Sequence, residues 1–212
     1  MGGQPATKLT PRGRVKRERI REAARQLFLE RGFAGTSIDA VTVAAGVSKP
    51  TVYRYFANKE ALFADIVQGM TVGGVAGDTS TNQAALAFAS HAEFTAVLTD
   101  LARQIITHHL TDPTFLPLLR MLIAEAPRFP QLTAVYREIV IDWGLRNLAM
   151  LFTQARERGL IATPDADLAA QLFISTVLFF MLKNGLLTTG PPQLPPDETV
   201  ARLVQLVVTA VE

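Results

Sequence analysis

The chain contains no cysteine among its 212 residues, which excludes disulfide bonds, thiolate metal ligands and cysteine nucleophiles. It has only three histidines. His108 and Asp112 are four residues apart and can share a helix face, but no further ligand follows at a suitable spacing, so we expect no metal site. No Ser-His-Asp order, His-Glu-x-x-His motif or glycine-rich nucleotide fingerprint is present. The sequence therefore predicts no catalytic residue and no cofactor.

A hydrophobic run long enough to cross a membrane is also missing. The most apolar stretch, from Leu168 to Leu182, has fifteen residues, whereas a transmembrane helix needs about 20. No apolar signal segment follows the basic N-terminus. Because 49% of the residues are hydrophobic, extensive packing between helices explains this composition better than a bilayer does. We expect a cytoplasmic protein with no membrane partner.

Acidic residues are scarce at the start of the chain. Residues 1–60 carry 12 Lys and Arg against 5 Asp and Glu, while residues 61–212 carry 9 against 14. The first part is therefore basic and the rest acidic, although the net charge is only +2. A basic end on an acidic, apolar body is typical of a protein that binds a phosphate backbone at one end.

The spacing of apolar residues indicates helices throughout and no strands, so the predicted fold is all-α with about nine helices. A flexible basic arm over residues 1–13 precedes an amphipathic helix from Arg14 to Arg31, which Gly32 ends. A chain break is expected at Gly73 to Asp78. Later helices are predicted at residues 83–110, 113–126, 129–158, 165–188 and 197–211.

Three short helices are indicated between residues 36 and 70 by their capping residues. Thr36 can cap the first, with Asp39 in a capping-box position, Ser48 the second and Asn58 the third. Gly46 separates the first two and can adopt the left-handed conformation that turns the chain sharply. This pattern predicts a helix-turn-helix, whose second helix can enter the major groove of DNA.

The segment Gly35 to Phe63 resembles the DNA-binding signature of the TetR family of bacterial transcriptional regulators. Its most specific parts are Val47 to Phe56 and the following Asn-Lys-Glu at residues 58–60. A weaker resemblance covers Arg120 to Leu187, where residues 125–130 are similar to the C-terminal domain of AefR-like members. The resemblance implies a three-helix DNA-binding head and a larger helical body for ligand binding and dimerisation.

Contacts with double-stranded DNA are expected from the start of the recognition helix, where Lys49, Pro50, Thr51 and Tyr53 are placed on the exposed side. Thr51 offers a hydroxyl and a methyl group to base edges. The resemblance implies that Thr36, Ser37, Tyr55 and Lys59 contact phosphates. The alternative is that the two tyrosines are core aromatics of a bundle that does not bind DNA.

The predicted domains are residues 1–58, the arm and helix-turn-helix, and residues 59–212, the body. An apolar cavity in the body would bind a small effector, and its candidate lining residues are His109, Trp143, Asn147, Met150, Gln154 and Phe173. Trp143 and Met150 can instead be core residues, and Asn147 and Gln154 can equally form interhelical hydrogen bonds or lie exposed on the surface. Dimerisation is assigned to the last two helices, with the candidate interface residues Leu172, Phe179, Leu203, Val204 and Val207.

These expectations together describe a homodimeric repressor that binds a palindromic operator and leaves it when a small, mostly apolar ligand binds. Two alternatives remain from the sequence. One is a regulator or scaffold that binds DNA but no ligand, and the other is an all-α enzyme with a DNA-binding head. A cavity in the body would distinguish the ligand-responsive regulator from the first alternative.

Overall fold

The computed structural model describes residues 10–72 and 88–211, and within them the chain forms only helices. This confirms the predicted all-α fold. Two π-helical segments, Arg137–Asp142 and Leu182–Leu186, join α7 to α8 and extend α9, so the described residues form nine continuous helices. The α-helices are α1 Pro11–Gly35, α2 Ile38–Ala45, α3 Lys49–Tyr55, α4 Lys59–Val72, α5 His91–Thr111, α6 Phe115–Glu125, α7 Pro130–Tyr136, α8 Trp143–Glu157, α9 Ala166–Met181 and α10 Asp197–Thr209.

The first helix begins earlier than the sequence predicts. Thr10 is its N-cap and accepts a hydrogen bond from the backbone N–H of Gly13 at 3.2 Å, and Pro11 occupies the first turn, where its missing N–H has no cost. Residues 11–13 are therefore helical instead of part of the arm. Residues 1–9 and the predicted break at 73–78 lie outside the described residues.

The chain divides into two compact units. The first consists of Met1–Ile66 and Met121–Thr133, and the second of Val67–Arg120 and Ala134–Glu212. The sequence places a single boundary between residues 58 and 59, whereas the structure divides the chain within α4 and adds a distant segment to the first unit. That segment contains the end of α6 and residues 125–130, which carry the second family resemblance.

A cluster of four phenylalanines forms the centre of the first unit. The ring of Phe33 lies 5.4 Å from Phe28, 5.9 Å from Phe63 and 5.1 Å from Phe129, mostly in edge-to-face arrangements. Phe28, Phe33 and Phe63 are fully buried. The segment 121–133 thus contributes an aromatic side chain to the packing of the first unit, a role that its position in the sequence does not suggest.

The regular part of α1 ends at Gly32, as the sequence predicts. Gly32 has φ 72° and ψ 173°, outside the helical region and in the range of positive φ that favours glycine. One carboxylate oxygen of Glu125 accepts a hydrogen bond from the backbone N–H of Ala34 at 3.1 Å. A Cβ atom on Gly32 would lie only 2.8 Å from that same oxygen. Glycine is therefore required here by both conformation and space.

The second unit has its own hydrophobic core, built from α5, α8, α9 and α10. A row of aromatic rings crosses it, with Phe152 lying 5.6 Å from Phe94 and 6.4 Å from Phe173. The buried side of α9 supplies Ala169, Ala170, Phe173, Val177 and Met181. The buried side of α10 supplies Val200, Val204, Val207 and Val208.

One helix among the described residues, Ala166–Leu186, is long and apolar enough to cross a membrane by length and composition. Core helices of ordinary proteins pass the same test, so this is weak support for a span. The structure gives this helix a different use, because its buried side packs into the core of the second unit. The exposed side remains apolar and is considered below.

Replacing Gly32 by alanine should lower the midpoint of thermal unfolding. Alanine would have to adopt the positive φ of this position, and its Cβ would displace the Glu125 carboxylate. We expect a destabilisation of about 1–3 kcal/mol. Gly144→Ala is the matched control, since nothing lies within 4 Å of a Cβ at this position in α8. That change should raise stability by about 0.5–1 kcal/mol. Equal midpoints for the two variants would show that the junction does not constrain residue 32.

Candidate nucleic-acid interface

The turn between α2 and α3 has the geometry of a helix-turn-helix. Gly46 adopts the left-handed conformation, with φ 61° and ψ 41°, and caps the end of α2. The backbone N–H of Val47 then donates to the carbonyl of Thr42 at 3.1 Å. The predicted role of Gly46 is confirmed, and α3 begins three residues later at Lys49.

The capping residues differ in part from the prediction. Ser37, and not Thr36, is the N-cap of α2, and its hydroxyl accepts from the N–H of Ala40 at 3.1 Å. Ser48 is the N-cap residue of α3, as predicted, but its hydroxyl bonds to the hydroxyl of Thr51 at 2.8 Å and not to a backbone N–H. Asn58 does cap α4, since its Oδ1 accepts from the N–H of Ala61 at 2.7 Å.

Thr36 is a structural residue, which corrects its assignment as a phosphate contact. Its side chain is 1% exposed. The hydroxyl lies 2.9 Å from the carbonyl oxygen of Gly32 and 3.0 Å from that of Leu27, and it donates to these acceptors at the end of α1. A buried hydroxyl that is already satisfied has no proton to offer to DNA.

Lys59 is also committed inside the first unit, against the prediction that its ammonium contacts a phosphate. Its Nζ donates to the carbonyl oxygens of Phe33 at 2.7 Å and Thr36 at 2.8 Å. It also lies 4.2 Å from the centroid of the Phe33 ring, within cation–π range. Desolvation by burial lowers the pKa of Lys59, and the negative charges of Glu60 and Glu125 partly oppose this shift. The ammonium therefore caps the C-terminal end of α1.

The exposed face of α3 matches the prediction. Val52 is buried and anchors the helix, while Lys49 and Pro50 are exposed, Tyr53 is 47% exposed and Thr51 is half-buried. These residues present hydroxyl, ammonium and aromatic groups that can meet base edges and phosphates.

Lys49, the first residue of α3, and Ser37, the N-cap of α2, are both candidate contacts for a phosphate. The ammonium of Lys49 forms an ion pair with Asp39 at 2.7 Å, and this hydrogen bond raises the pKa of Lys49. Both partners are largely exposed, so the pair is weak and a phosphate can replace the carboxylate. Ser37 is exposed at the N-terminus of the same helix that carries Asp39.

Sequence reasoning missed Arg54, which is exposed near the end of α3. Its guanidinium carbon lies 5.0 Å from the centroid of the Tyr55 ring, and its Nη2 donates to the Tyr55 hydroxyl at 3.0 Å. Tyr55 is half-buried, with its ring 6.5 Å from that of the buried Phe56. A basic residue four positions after the exposed Pro50 was the available signal, because residues i and i+4 share a helix face.

The predicted effector residues do not gather around one described cavity. Phe173 is buried in the core of the second unit, whereas Met150 is 55% exposed. Asn147 donates from its Nδ2 to the carbonyl of Trp143 at 2.7 Å, within its own helix. Gln154 is half-buried. The effector site therefore remains a prediction.

The described residues form open depressions on both units, and two of these are not lined by the predicted effector residues. One of about 650 Å³ lies between α1 and α2 in the first unit and has Arg14, Glu18 and Glu22 on its rim. The other, of about 450 Å³, lies in the second unit against α5, with Asp100 and Arg103 among its lining residues. Both surfaces mix charges of opposite sign.

His109 is the predicted effector residue with the most unusual surroundings. Its ring packs edge-to-face on Phe115 at 4.1 Å between centroids, and its Nδ1 lies 2.6 Å from the carbonyl oxygen of Ile105. Desolvation by burial lowers the pKa of His109 to about 4, although the Ile105 carbonyl opposes the shift. The ring is therefore neutral at pH 7. Its Nδ1 carries the proton and donates to the Ile105 carbonyl, so Nε2 is unprotonated and has the character of a hydrogen-bond acceptor.

The predicted dimer residues differ in their exposure to solvent. Leu172 and Phe179 are exposed, the latter at 60%, whereas Leu203 is half-buried. Val204 and Val207 are buried against the core of their own chain, which corrects their assignment as interface residues. The exposed leucine of α10 is Leu206, at 66%.

Comparison with known proteins covers both units. Residues 20–66 match the sequence model described as bacterial regulatory proteins of the tetR family, and residues 96–211 match that of the AefR-like transcriptional repressor, C-terminal domain. The HTH-type transcriptional repressor DhaR of Mycobacterium sp. strain GP1 is 38% identical over 52 residues, which are 24% of this chain and 26% of DhaR. The chain thus matches about a quarter of that relative's length.

Solved structures match over nearly the whole chain. A structure from Mesorhizobium loti MAFF303099 assigned to the TetR family of transcriptional regulators is 29% identical, with a TM-score of 0.68, and the match covers 95% of this chain and 97% of that one. The flavonoid-responsive regulator FrrA is 28% identical, with a TM-score of 0.69, over 93% of this chain and 95% of its own.

Lys59→Ala should lower the free energy of unfolding by about 1.5–3 kcal/mol, the range for hydrogen bonds from a charged donor, because two carbonyls at the end of α1 lose their partner. Lys49→Ala is the matched control: it removes the same charge from an exposed ion pair, and should leave the free energy of unfolding nearly unchanged. Chemical denaturation followed by circular dichroism measures both. If both variants lost the same free energy of unfolding, Lys59 would have no more structural role than an exposed lysine.

Proposed function

Because this chain belongs to the TetR family of bacterial transcriptional regulators, we propose that it acts in the cytoplasm as a homodimeric repressor released from its operator by a small, mostly apolar molecule. The observation that carries the proposal is the helix-turn-helix. The left-handed turn at Gly46 leads into a helix that exposes Lys49, Pro50 and Tyr53 and buries Val52.

In the proposed complex, α3 lies in the major groove of DNA. Thr51 meets a base edge through its hydroxyl or its methyl group, and Tyr53 contacts sugar, phosphate or base. Ser37 and Lys49 contact the phosphate backbone on either side of the turn. The excess of basic residues in the first 60 positions favours association with the duplex.

Dimerisation is supported by an apolar stripe on the exposed side of α9. We call it the α9 stripe; it consists of Leu168, Leu172, Phe179 and Leu182. These residues are spaced by four, seven and three positions, so they follow one face of the helix. A soluble chain rarely leaves such a row exposed, and a second copy of the same helix can cover it by two-fold symmetry. Leu206 on α10 would extend the interface.

Release by a small molecule is supported by the similarity of this chain to FrrA, a flavonoid-responsive regulator. Flavonoids are aromatic molecules with hydroxyl groups, and the second unit offers aromatic rings together with the neutral His109, whose Nε2 can accept a hydrogen bond. Tyr136 adds a donor, because its phenol is protonated at pH 7, and burial raises its pKa further, to about 12. The effector needs only to prefer the conformation that does not bind DNA.

Selection of duplexes from a random DNA library tests the DNA-binding function directly. We expect the chain to recover palindromic sites whose half-sites are about 10 bp apart, one helical turn, as two symmetric heads require. The logarithm of affinity for the selected duplex should fall with the logarithm of salt concentration at a slope near −7 if about eight phosphates are neutralised. Recovery of no enriched sequence, with a flat salt response, would contradict the function.

Phe179→Lys tests the dimer in the same assay, because an unpaired charge cannot be buried in a helix seam without a large cost. We expect a monomer in sedimentation velocity and loss of tight binding to the palindrome. Ile123→Lys is the matched control, since Ile123 is similarly exposed, at 54%, but lies on α6. A Phe179→Lys protein that remains dimeric would place the interface elsewhere.

Thermal shift with two compound sets, flavonoids and small polycarboxylates, tests the effector. Flavonoids should raise the unfolding midpoint and weaken binding to the selected duplex, whereas polycarboxylates should do neither. His109→Phe keeps a ring against Phe115 but removes the acceptor, so we expect a weaker flavonoid response. If neither set changes stability or DNA binding, the regulator that binds no ligand is the better description.

A further inference from the structure

We propose that Arg54 and Tyr55 form one phosphate clamp, in which the guanidinium and the phenol hydroxyl bind the same phosphate group of the DNA backbone. The proposal rests on the DNA-binding function above. It adds Arg54 to the phosphate contact that the family resemblance implies for Tyr55, and it assigns both groups to one phosphate. Its basis is the direct hydrogen bond from Arg54 Nη2 to the Tyr55 hydroxyl at 3.0 Å and the position of the guanidinium over the Tyr55 ring at 5.0 Å.

Two other cations near α3 have partners of their own. Lys59 donates to two backbone carbonyls at the end of α1, and Lys49 forms an exposed, weak ion pair with Asp39 that a phosphate can replace. Arg54, by contrast, forms no ion pair with any carboxylate in residues 10–72 and 88–211, the part of the chain that the structure describes. An exposed guanidinium without an acidic partner on a DNA-binding helix is the group best placed to neutralise a phosphate.

The pair leaves its donors available for one shared acceptor. Arg54 uses one of its five N–H groups on the Tyr55 oxygen, so the remaining groups can still form the two-pronged contact that arginine makes with phosphate. Because the Tyr55 oxygen accepts that bond, its own O–H proton is directed elsewhere and can be donated. The two donors are neighbours, so they can address two oxygens of a single phosphate group.

Tyr55 also orders Arg54 before DNA arrives. The Tyr55 ring is half-buried and packs beside the buried Phe56, so its position is determined by the core of the first unit. Stacking on this ring limits the rotamers of the long arginine side chain, and less conformational entropy is lost when the phosphate binds. Tyr55 is thus both a ligand of the phosphate and the support of its partner.

A phosphate is favoured over a base edge by the position of Arg54 in the helix. Arg54 is the sixth residue of the seven-residue α3. Recognition helices place mainly their N-terminal residues against bases, and the residues beyond approach the backbone. The guanidinium also lies over the ring of the half-buried Tyr55, beside the core of the first unit.

Four variants measured on the duplex selected by the unsubstituted chain test the clamp: Arg54→Ala, Arg54→Lys, Tyr55→Phe and the double variant with alanine and phenylalanine. Arg54→Ala should flatten the salt slope by about 1.8 per dimer, since one phosphate contact is lost in each head. Arg54→Lys should keep the slope but bind more weakly. Tyr55→Phe should keep the slope and lose about tenfold in affinity per head.

The double variant should lose less affinity than the product of the two single losses, because the two groups act on one phosphate. Arg146→Ala is the charge-matched control, an exposed arginine on α8, and should leave the slope unchanged. Unchanged thermal midpoints for all variants would exclude a merely structural role. Repeating the selection with Arg54→Ala should return the same preferred bases.

Three results would overturn the clamp while leaving the DNA-binding function in place. The first is an unchanged salt slope for Arg54→Ala. The second is a new base preference at one position in each half-site, which would make Arg54 a base-reading residue. The third is a fully multiplicative loss in the double variant, which would show that the two residues contact separate phosphates. If the unsubstituted chain selects no duplex, the proposed function and the clamp fail together.

Discussion

The ammonium group of Lys59 is the interaction on which the DNA-binding unit depends most. It is the first residue of α4, and it binds the carbonyl oxygens of Phe33 and Thr36 at the C-terminal end of α1. One cation therefore joins the end of α1 to the start of α4. A partly buried charge is tolerated only with such partners. The negative charge of Glu125 also favours the charged form of Lys59. The orientation of α3, which follows α2, depends on this junction.

Local rules predicted much of the fold because they involve residues close in the sequence. Gly32 and Gly46 end helices where a positive φ is needed, and Asn58 caps α4 through a residue three positions away. These local rules did not predict the structural roles of Thr36 and Lys59. The carbonyls that Lys59 binds are 23 and 26 residues away, and nothing in the local sequence tells a lysine that caps a distant helix from one that faces solvent.

The limits of periodicity are clearest in the last two helices. In α10 the valines and leucines recur at helical spacing, so the sequence identifies an apolar helix but not which of its faces meets its own chain. The structure turns Val204 and Val207 inward and Leu206 outward. In α9 both faces are apolar, and only packing separates Phe173, in the core, from Phe179, on the surface. Burial of this kind depends on contacts between distant segments.

The discontinuity of the first unit has a consequence for how regulators of this kind can be recombined. Phe129 packs on Phe33, and Glu125 holds the backbone at Ala34, although about 90 residues separate the partners along the chain. A chimera that exchanged only the first 66 residues between relatives would pair each head with a foreign aromatic and a foreign carboxylate. Exchange of intact heads therefore requires three junctions, one after residue 66 and one on each side of residues 121–133, so that this segment is exchanged with the N-terminal part.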